Sequence, residues 1–265
     1  MSAPTRSEPV RLRPIALPVE HGGWAFLGAP VLLGMLVAPS VAGAWLGLAA
    51  LGAFLTRQPL KLAVGDRRRG RRFPRTAVAE RFVLLYATAA LLAFVVAWMI
   101  AAHPFWAPLL LAAPLAAAQL SFDLRKQSRA LPAELAGAVA ISSLAATIAT
   151  AGGWAIGPAL VLWLLLALQA VAAIVYVGAR LRLARGEPAR RWPTYATHLA
   201  ALAVVAGLGW LGAAPWLAAG AFAVLAARAA LGLLPAALRA PAPLVGVQEI
   251  GFSLLTVAAI AFGFR

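Results

Sequence analysis

The sequence contains no cysteine among its 265 residues. That excludes disulfides and thiolate metal sites, and it says nothing about the redox compartment. Acids are scarce as well, eight against 23 Lys and Arg. Charged residues together make up 12% of the chain, whereas a soluble domain carries about a quarter. The polar residues are gathered into a few short intervals, and the apolar 63% runs in long segments rather than alternating. Water is therefore not the solvent for most of this surface. The length suits one membrane domain and leaves no room for a second, soluble one.

What is present is a strong basic excess, +15 at pH 7. It does not read as a nucleic-acid footprint. The charge sits in short loops between apolar segments, where membrane orientation and anionic headgroups account for it. The stretch Arg57–Arg81 is the longest polar interval, with nine Lys/Arg and the acids Asp66 and Glu80. It cannot enter hydrocarbon, so it fixes one side of the bilayer.

Apolar spans then follow at about Glu20–Ala38, Val41–Thr56, Arg81–Ala101, Phe105–Leu120, Ala133–Ala151, Ala155–Ala179, Thr194–Leu211, Trp216–Leu238 and Leu244–Phe264. A crossing helix needs roughly 17–25 residues, so the second and fourth, being short, are expected to extend into the basic intervals that follow them. The N-terminal arm and the intervals after the even-numbered spans hold 21 of the 23 Lys/Arg; the turns after odd-numbered spans hold none. This alternation predicts nine spans, N-terminus cytoplasmic and C-terminus extracytoplasmic, in the inner (plasma) membrane. Residues 1–17 read as a basic cytoplasmic arm and 18–265 as a single transmembrane domain. The arm is not a signal peptide, because the apolar segment behind it leads into further spans without a cleavage site. The fold class is all-α, a polytopic transmembrane helical bundle. Ala and Gly dominate the spans, which lets helices approach closely where lipid removes the hydrophobic drive.

Five segments could carry chemistry. Glu20 and His21 precede two glycines at the entry of the first span, where they can cap the helix or bind a cation, and the glycines permit close approach of a ligand; both readings stand. Arg57 and Lys61 are four apart and share a helix face, placed to hold phosphate or carboxylate. Asp66 precedes the arginine cluster, whose plainer role is topogenic. Asp123, Arg125 and Lys126 lie in the next basic interval, followed by Glu134 at the mouth of the membrane. Asp123 and Glu134 are the only acids between Glu80 and Glu187. An acid there is costly unless paired or functional, and Arg125 or Lys126 is its expected partner. Tyr176 and Arg180 stack one turn apart, with Arg182 beyond. Finally, Glu249 lies about 7 Å inside the last span, and Arg228 about 16 Å from Arg239 in the eighth. These two are expected to meet, as a structural ion pair or as part of a substrate site.

All these groups fall at the basic end of the bundle. A charged mouth over an apolar interior suits an amphiphile with an anionic head, such as an isoprenoid or quinone-type lipid. Arg57, Lys61, Arg125, Arg180 and Arg182 would contact the head. Glu20, His21, Asp123 and Glu134 would pair or handle protons. A transporter or flippase-type carrier and a non-catalytic accessory subunit are the rival classes.

Pro18-Val-Glu-His-Gly-Gly-Trp24, Arg57-Gln-Pro-Leu-Lys61, the Asp123 interval with Glu134-Leu-Ala-Gly137, and Gly246-Val-Gln-Glu249 together resemble the YwiC-like family of bacterial multispan membrane proteins. The Glu-His-Gly-Gly-Trp block is the most specific piece. The resemblance implies topology and assigns no reaction. More distantly, nine spans with large polar intervals after the second, fourth and sixth resemble the UbiA prenyltransferase superfamily. That resemblance implies a UbiA-like layout, a lipid-like ligand and a prenyl-transfer-like reaction if the chain is an enzyme. It also implies Mg²⁺ held by Asp-rich motifs, and here the sequence departs. The first position offers Asp66 among arginines, and the second offers Arg180 and Arg182. A guanidinium cannot replace a carboxylate as a Mg²⁺ ligand, so the sequence identifies neither a metal site nor a cofactor.

Overall fold

A computed structural model describes residues 12–17 and 21–265, with backbone only at 21 and 22. Within these residues every regular element is helical. A short helix, α1 (Arg13–Ala16), precedes α2 (His21–Val37), α3 (Val41–Arg68), α4 (Pro74–Ile100) and α5 (Trp106–Leu124). Then come α6 (Leu131–Ala151), α7 (Ile156–Ala184), α8 (Trp192–Trp210), α9 (Trp216–Gly232) and α10 (Ala242–Gly263). Helices α2 to α10 coincide in order with the nine expected spans. Five of them, α4, α5, α6, α7 and α10, are long and apolar enough by themselves to cross a bilayer.

Helices α6 and α7 form the centre, and α4 is the most exposed of the five, showing Leu84, Leu85, Leu91, Leu92 and Met99. One core joins α2, α6, α7, α8, α9 and α10 through Leu33, Ala149, Leu162, Leu165, Val205, Phe222 and Ile260. A second joins α3, α4, α5 and α6 through Leu46, Ala97, Phe105 and Ile148. Small side chains set the spacing: a Cβ added to Gly52 of α3 would lie 2.9 Å from Ala90 Cβ and 3.1 Å from the Tyr86 carbonyl oxygen of α4. Dispersion from such close backbones is what holds helices together in lipid. The buried hydroxyls of α6 do not seek distant partners. Ser142, Ser143, Thr147 and Thr150 each donate to a carbonyl of the preceding turn.

Two expectations change. The second span extends into the Arg57–Arg81 interval as expected, but so far that little of the interval is left as loop. Helix α3 runs on to Arg68, and α4 begins seven residues ahead of Arg81, at Pro74. Only residues 69–73 turn. Pro74 suits the first helical position, where its missing N–H costs nothing, and Thr76 Oγ1 accepts from Phe73 N at 3.0 Å. The extensions are braced. Asp66, 2% exposed, accepts from Arg75 Nε at 3.1 Å, Arg75 Nη2 at 2.8 Å and Thr76 Oγ1 at 2.9 Å. The Arg75 guanidinium, helped by Thr76, holds the Asp66 carboxyl below the ordinary aspartate range. Ile15 of α1 packs against Ala63 and Ala79 of the same hairpin.

The second change is at α9, which stops at Gly232, six residues before the expected end. Pro235 ahead of it supplies no N–H, and a one-turn 3-10 segment, Ala237–Arg239, follows. Arg228 is therefore about 6 Å from its helix end rather than deep within a span.

Candidate functional site

Between α2, α3, α5, α6, α7 and α10 lies a cavity of about 1380 Å³. Its charged lining residues fall toward the end of the bundle that carries the basic segments: Arg57 past the midpoint of α3, Arg129 between α5 and α6, Glu134 in the first turn of α6, Arg228 near the end of α9 and Glu249 in the first half of α10. The apolar wall reaches from there to the middle of the bundle, through Ala50, Ala53 and Phe54 of α3 and along α5 from Gln119 back to Leu109. Most of the wall is apolar, including Phe26, Leu27, Phe54, Leu144, Leu166 and Ile250. Polar groups break it at Arg57, Arg129, Glu134, Gln119, Gln169, Arg228 and Glu249. A second cavity of about 540 Å³, between Trp154, Val161, Gly212 and Phe264, lies at the opposite end and is lined by no charged residue.

The expected site residues divide. Arg57 is on the wall, and its Nε and Nη2 donate to Asp123 Oδ2 at 2.7 Å and Oδ1 at 3.0 Å. That two-bond fork locks α3 to the end of α5, and Asp123 itself is buried behind it. Lys61, one turn on, donates to Ser128 Oγ at 3.1 Å. The shared face of Arg57 and Lys61 is thus real, and it grips the α5–α6 connection. Glu134 is on the wall in the first turn of α6, where the helix N-terminus favours a carboxylate. Its expected partners do not meet it. Arg125 and Lys126 are exposed at the end of α5, and Lys126 adopts a left-handed turn with φ of 61° that closes the helix. Glu134 keeps other interactions.

Asp66 braces the α3–α4 hairpin and does not line the cavity. Arg182 is exposed and engaged locally, with Pro188 O at 3.1 Å and Glu187 at 3.7 Å. Glu20 lies outside the described residues, as does the side chain of His21, though His21 opens α2.

The structure's own centre of charge is on the far wall. Arg228 Nη2 meets Glu249 Oε2 at 3.2 Å, the pairing expected from sequence. Tyr176, fully buried, is the hinge of the cluster. The Arg228 guanidinium lies 4.1 Å from its ring centroid and 5.1 Å from that of Phe252. Arg180, also buried, donates to Tyr176 Oη at 2.7 Å, Ala237 O at 2.9 Å and Gln248 Oε1 at 3.5 Å. His198 of α8 packs edge-on to Tyr176 at 6.3 Å. Gly232 admits the Tyr176 ring, because a Cβ there would overlap its hydroxyl.

His198, Gln248 and Phe252 were not legible as partners. The usable signal was Arg228 itself, a lone cation within an apolar segment. Among the described residues no group of three or more His, Asp or Glu is placed to hold a metal ion. The charged groups that line the cavity are three guanidiniums, Arg57, Arg129 and Arg228, and two carboxylates, Glu134 and Glu249, of which Glu249 is paired with Arg228; a set dominated by guanidiniums does not fit a Mg²⁺–diphosphate centre.

Residues 17–150 match the family model described as YwiC-like protein. No curated protein and no solved structure matches the chain. The matched half supplies α2, α3, α5 and α6 to the cavity wall; the Tyr176–Arg228–Glu249 cluster lies beyond it.

Proposed function

This chain belongs to the YwiC-like family, and we propose that it is an integral membrane protein that binds an amphiphile in the cavity between α2, α3, α5, α6, α7 and α10. The ligand has an apolar chain and an anionic head, and the mouth of the cavity faces the cytoplasm. One observation carries this reading. A cavity larger than the ~300–1,000 Å³ of ordinary small-molecule sites has an apolar wall interrupted by cations at the basic end of the bundle. Arg57 and Arg228 stand on opposite walls of it, from α3 and α9. An isoprenoid or acyl chain satisfies the apolar wall, and an oxyanion satisfies the guanidinium donors. Of the four serines on the wall, Ser142 and Ser143 donate to their own helix and Ser128 accepts from Lys61, and the proposal stops at binding.

The test is lipid analysis of the protein purified in mild detergent. Gly178 and Gly246 both line the cavity, and a side chain added at either meets open space. Gly178→Trp and Gly246→Trp therefore add bulk at the cavity wall with no clash at Cβ, and helix propensity favours both changes. An anionic amphiphile is expected to co-purify with the wild type and to be depleted in both variants. Absence of any enriched amphiphile from the wild type, or equal enrichment in the variants, refutes the proposal.

A further inference from the structure

We infer that the head of the bound amphiphile carries one negative charge and docks on Arg228; this rests on the amphiphile-binding reading above. The first observation is geometric. The Arg228 side chain is 8% exposed and lines the cavity. Its guanidinium lies over the Tyr176 and Phe252 rings, 4.1 and 5.1 Å from their centroids. Stacking of this kind fixes the plane of a guanidinium and leaves its N–H edge as the reactive part. Among the described residues only Nη2 of that edge has a charged partner, Glu249, while Nε and Nη1 are buried with no hydrogen-bond partner. Buried charged donors left without acceptors are expensive, and an oxyanion in the cavity supplies the acceptors.

The second observation is a charge count. Arg180 donates to three neutral acceptors: a phenol, an amide oxygen and a backbone carbonyl. The α7–α9–α10 cluster thus holds two guanidiniums and one carboxylate, an excess of one positive charge. Elsewhere on the wall Arg57 is matched by Asp123, and Arg129 and Glu134 add one cation and one carboxylate, so the excess stays at one. A head with a single negative charge cancels the excess, whereas a diphosphate brings more charge than the cluster can balance. Two lipid chemistries share that head: a fatty-acid carboxylate and a phospholipid phosphodiester.

The experiment is native mass spectrometry of the full-length protein in detergent, titrated with oleate, dioleoyl-phosphatidylglycerol, oleyl alcohol and oleyl monophosphate. The wild type is expected to bind one of the two monoanions about tenfold to a hundredfold more tightly than the alcohol. It should also bind that monoanion at least as well as the monophosphate. Tighter binding of oleate assigns the carboxylate; tighter binding of the glycerophospholipid assigns the phosphodiester. Arg228→Gln removes the excess charge and brings monoanion and alcohol to parity. Glu249→Gln raises the excess to two and moves the preference to the doubly charged monophosphate. The second variant keeps side-chain shape, so it carries the test if Arg228→Gln does not fold. Wild-type preferences in both variants, or a wild type that prefers the alcohol or the monophosphate, overturn this inference and leave amphiphile binding intact. If no probe binds in a manner blocked by Gly246→Trp, the earlier reading fails instead.

Discussion

Gly232→Ala tests whether the close approach of α7 and α9 holds the charge cluster together. The added Cβ would overlap Tyr176 Oη and stand 2.8 Å from Cζ and 3.0 Å from Cε2. The ring has nowhere to retreat. It is fully buried, its hydroxyl is bonded to Arg180, and Arg228 lies 4.1 Å from its centroid. The helices must separate, and overpacking of this kind costs about 1–3 kcal/mol. Alanine returns up to about 1 kcal/mol of helix propensity, but less at the last residue of a helix, so the net loss is about 1–2 kcal/mol. Tyr176→Phe removes the worst overlap together with the Arg180 bond. Gly232→Ala should therefore cost about 1 kcal/mol less in the phenylalanine background than in the wild type. Reversible unfolding in mixed detergent–SDS micelles, followed by tryptophan fluorescence, measures all four corners of the cycle. Wild-type stability in Gly232→Ala, or an equal cost in both backgrounds, would falsify the claim that Tyr176 is wedged against α9.

The Arg57–Asp123 fork predicts an asymmetry. Arg57→Gln strands a carboxylate that is 6% exposed, while Asp123→Asn leaves a guanidinium that is 32% exposed and partly hydrated. The first should cost about 3 kcal/mol and the second about 1 kcal/mol in the same unfolding assay, and the reverse order refutes the pairing as drawn. At the α3–α4 hairpin, the Asp66 carboxyl is held below its ordinary range, chiefly by Arg75. Its contribution is complete above the ordinary aspartate range and is lost as the pH falls below that range through the lowered folded value. Asp66→Asn should flatten that acid limb and leave oleate binding unchanged; an unaltered limb counts against the brace. Arg182→Ala, at an exposed side chain with local partners, should change neither stability nor lipid binding. Because the chain has no native cysteine, single-cysteine labelling reads topology cleanly. Arg71→Cys should react from the cytoplasmic side and His103→Cys from the other; labelling of both from one side refutes the alternating order.

Much of this was written in the chain. The order of nine apolar segments is carried by the alternation of Lys and Arg, which is a property of composition and survives any error in helix ends. The Arg228–Glu249 pair was legible because each is a lone charge in an apolar segment, and such charges must find each other. The end of α9 was over-extended. Residues 233–238 are apolar enough to continue a span, but Pro235 among them supplies no N–H to the helix and was there to read. The hairpin after α3 was hidden for the opposite reason. A run of arginines looks like a solvated loop, yet a buried Asp66 on one helix and Thr76 on the next fold it into two braced helical ends. Arg125 and Arg182 are exposed and do not line the cavity, a placement the sequence does not show because a basic residue near a membrane mouth looks alike whether it faces the cavity or the solvent.

The division of labour within the bundle follows from where charges are already satisfied. The half that matches the family model contributes Gly23, Phe54 and Arg57 to the wall, and Arg57 is matched by Asp123. Gly23, within the Glu-His-Gly-Gly-Trp block, has Phe54 Cζ 3.0 Å from where its Cβ would be, and Trp24 packs edge-on to the same ring at 5.1 Å. That block therefore shapes the cavity by letting α2 close on α3. The charge imbalance is elsewhere, in α7, α9 and α10, where two buried guanidiniums share one carboxylate. Shape and charge selection thus come from different stretches of the chain. On this account a side chain at Gly23 alters which tails fit, and a change at Arg228 alters which heads are held. Single substitutions in the two halves should move the two specificities independently, as residues without shared partners do.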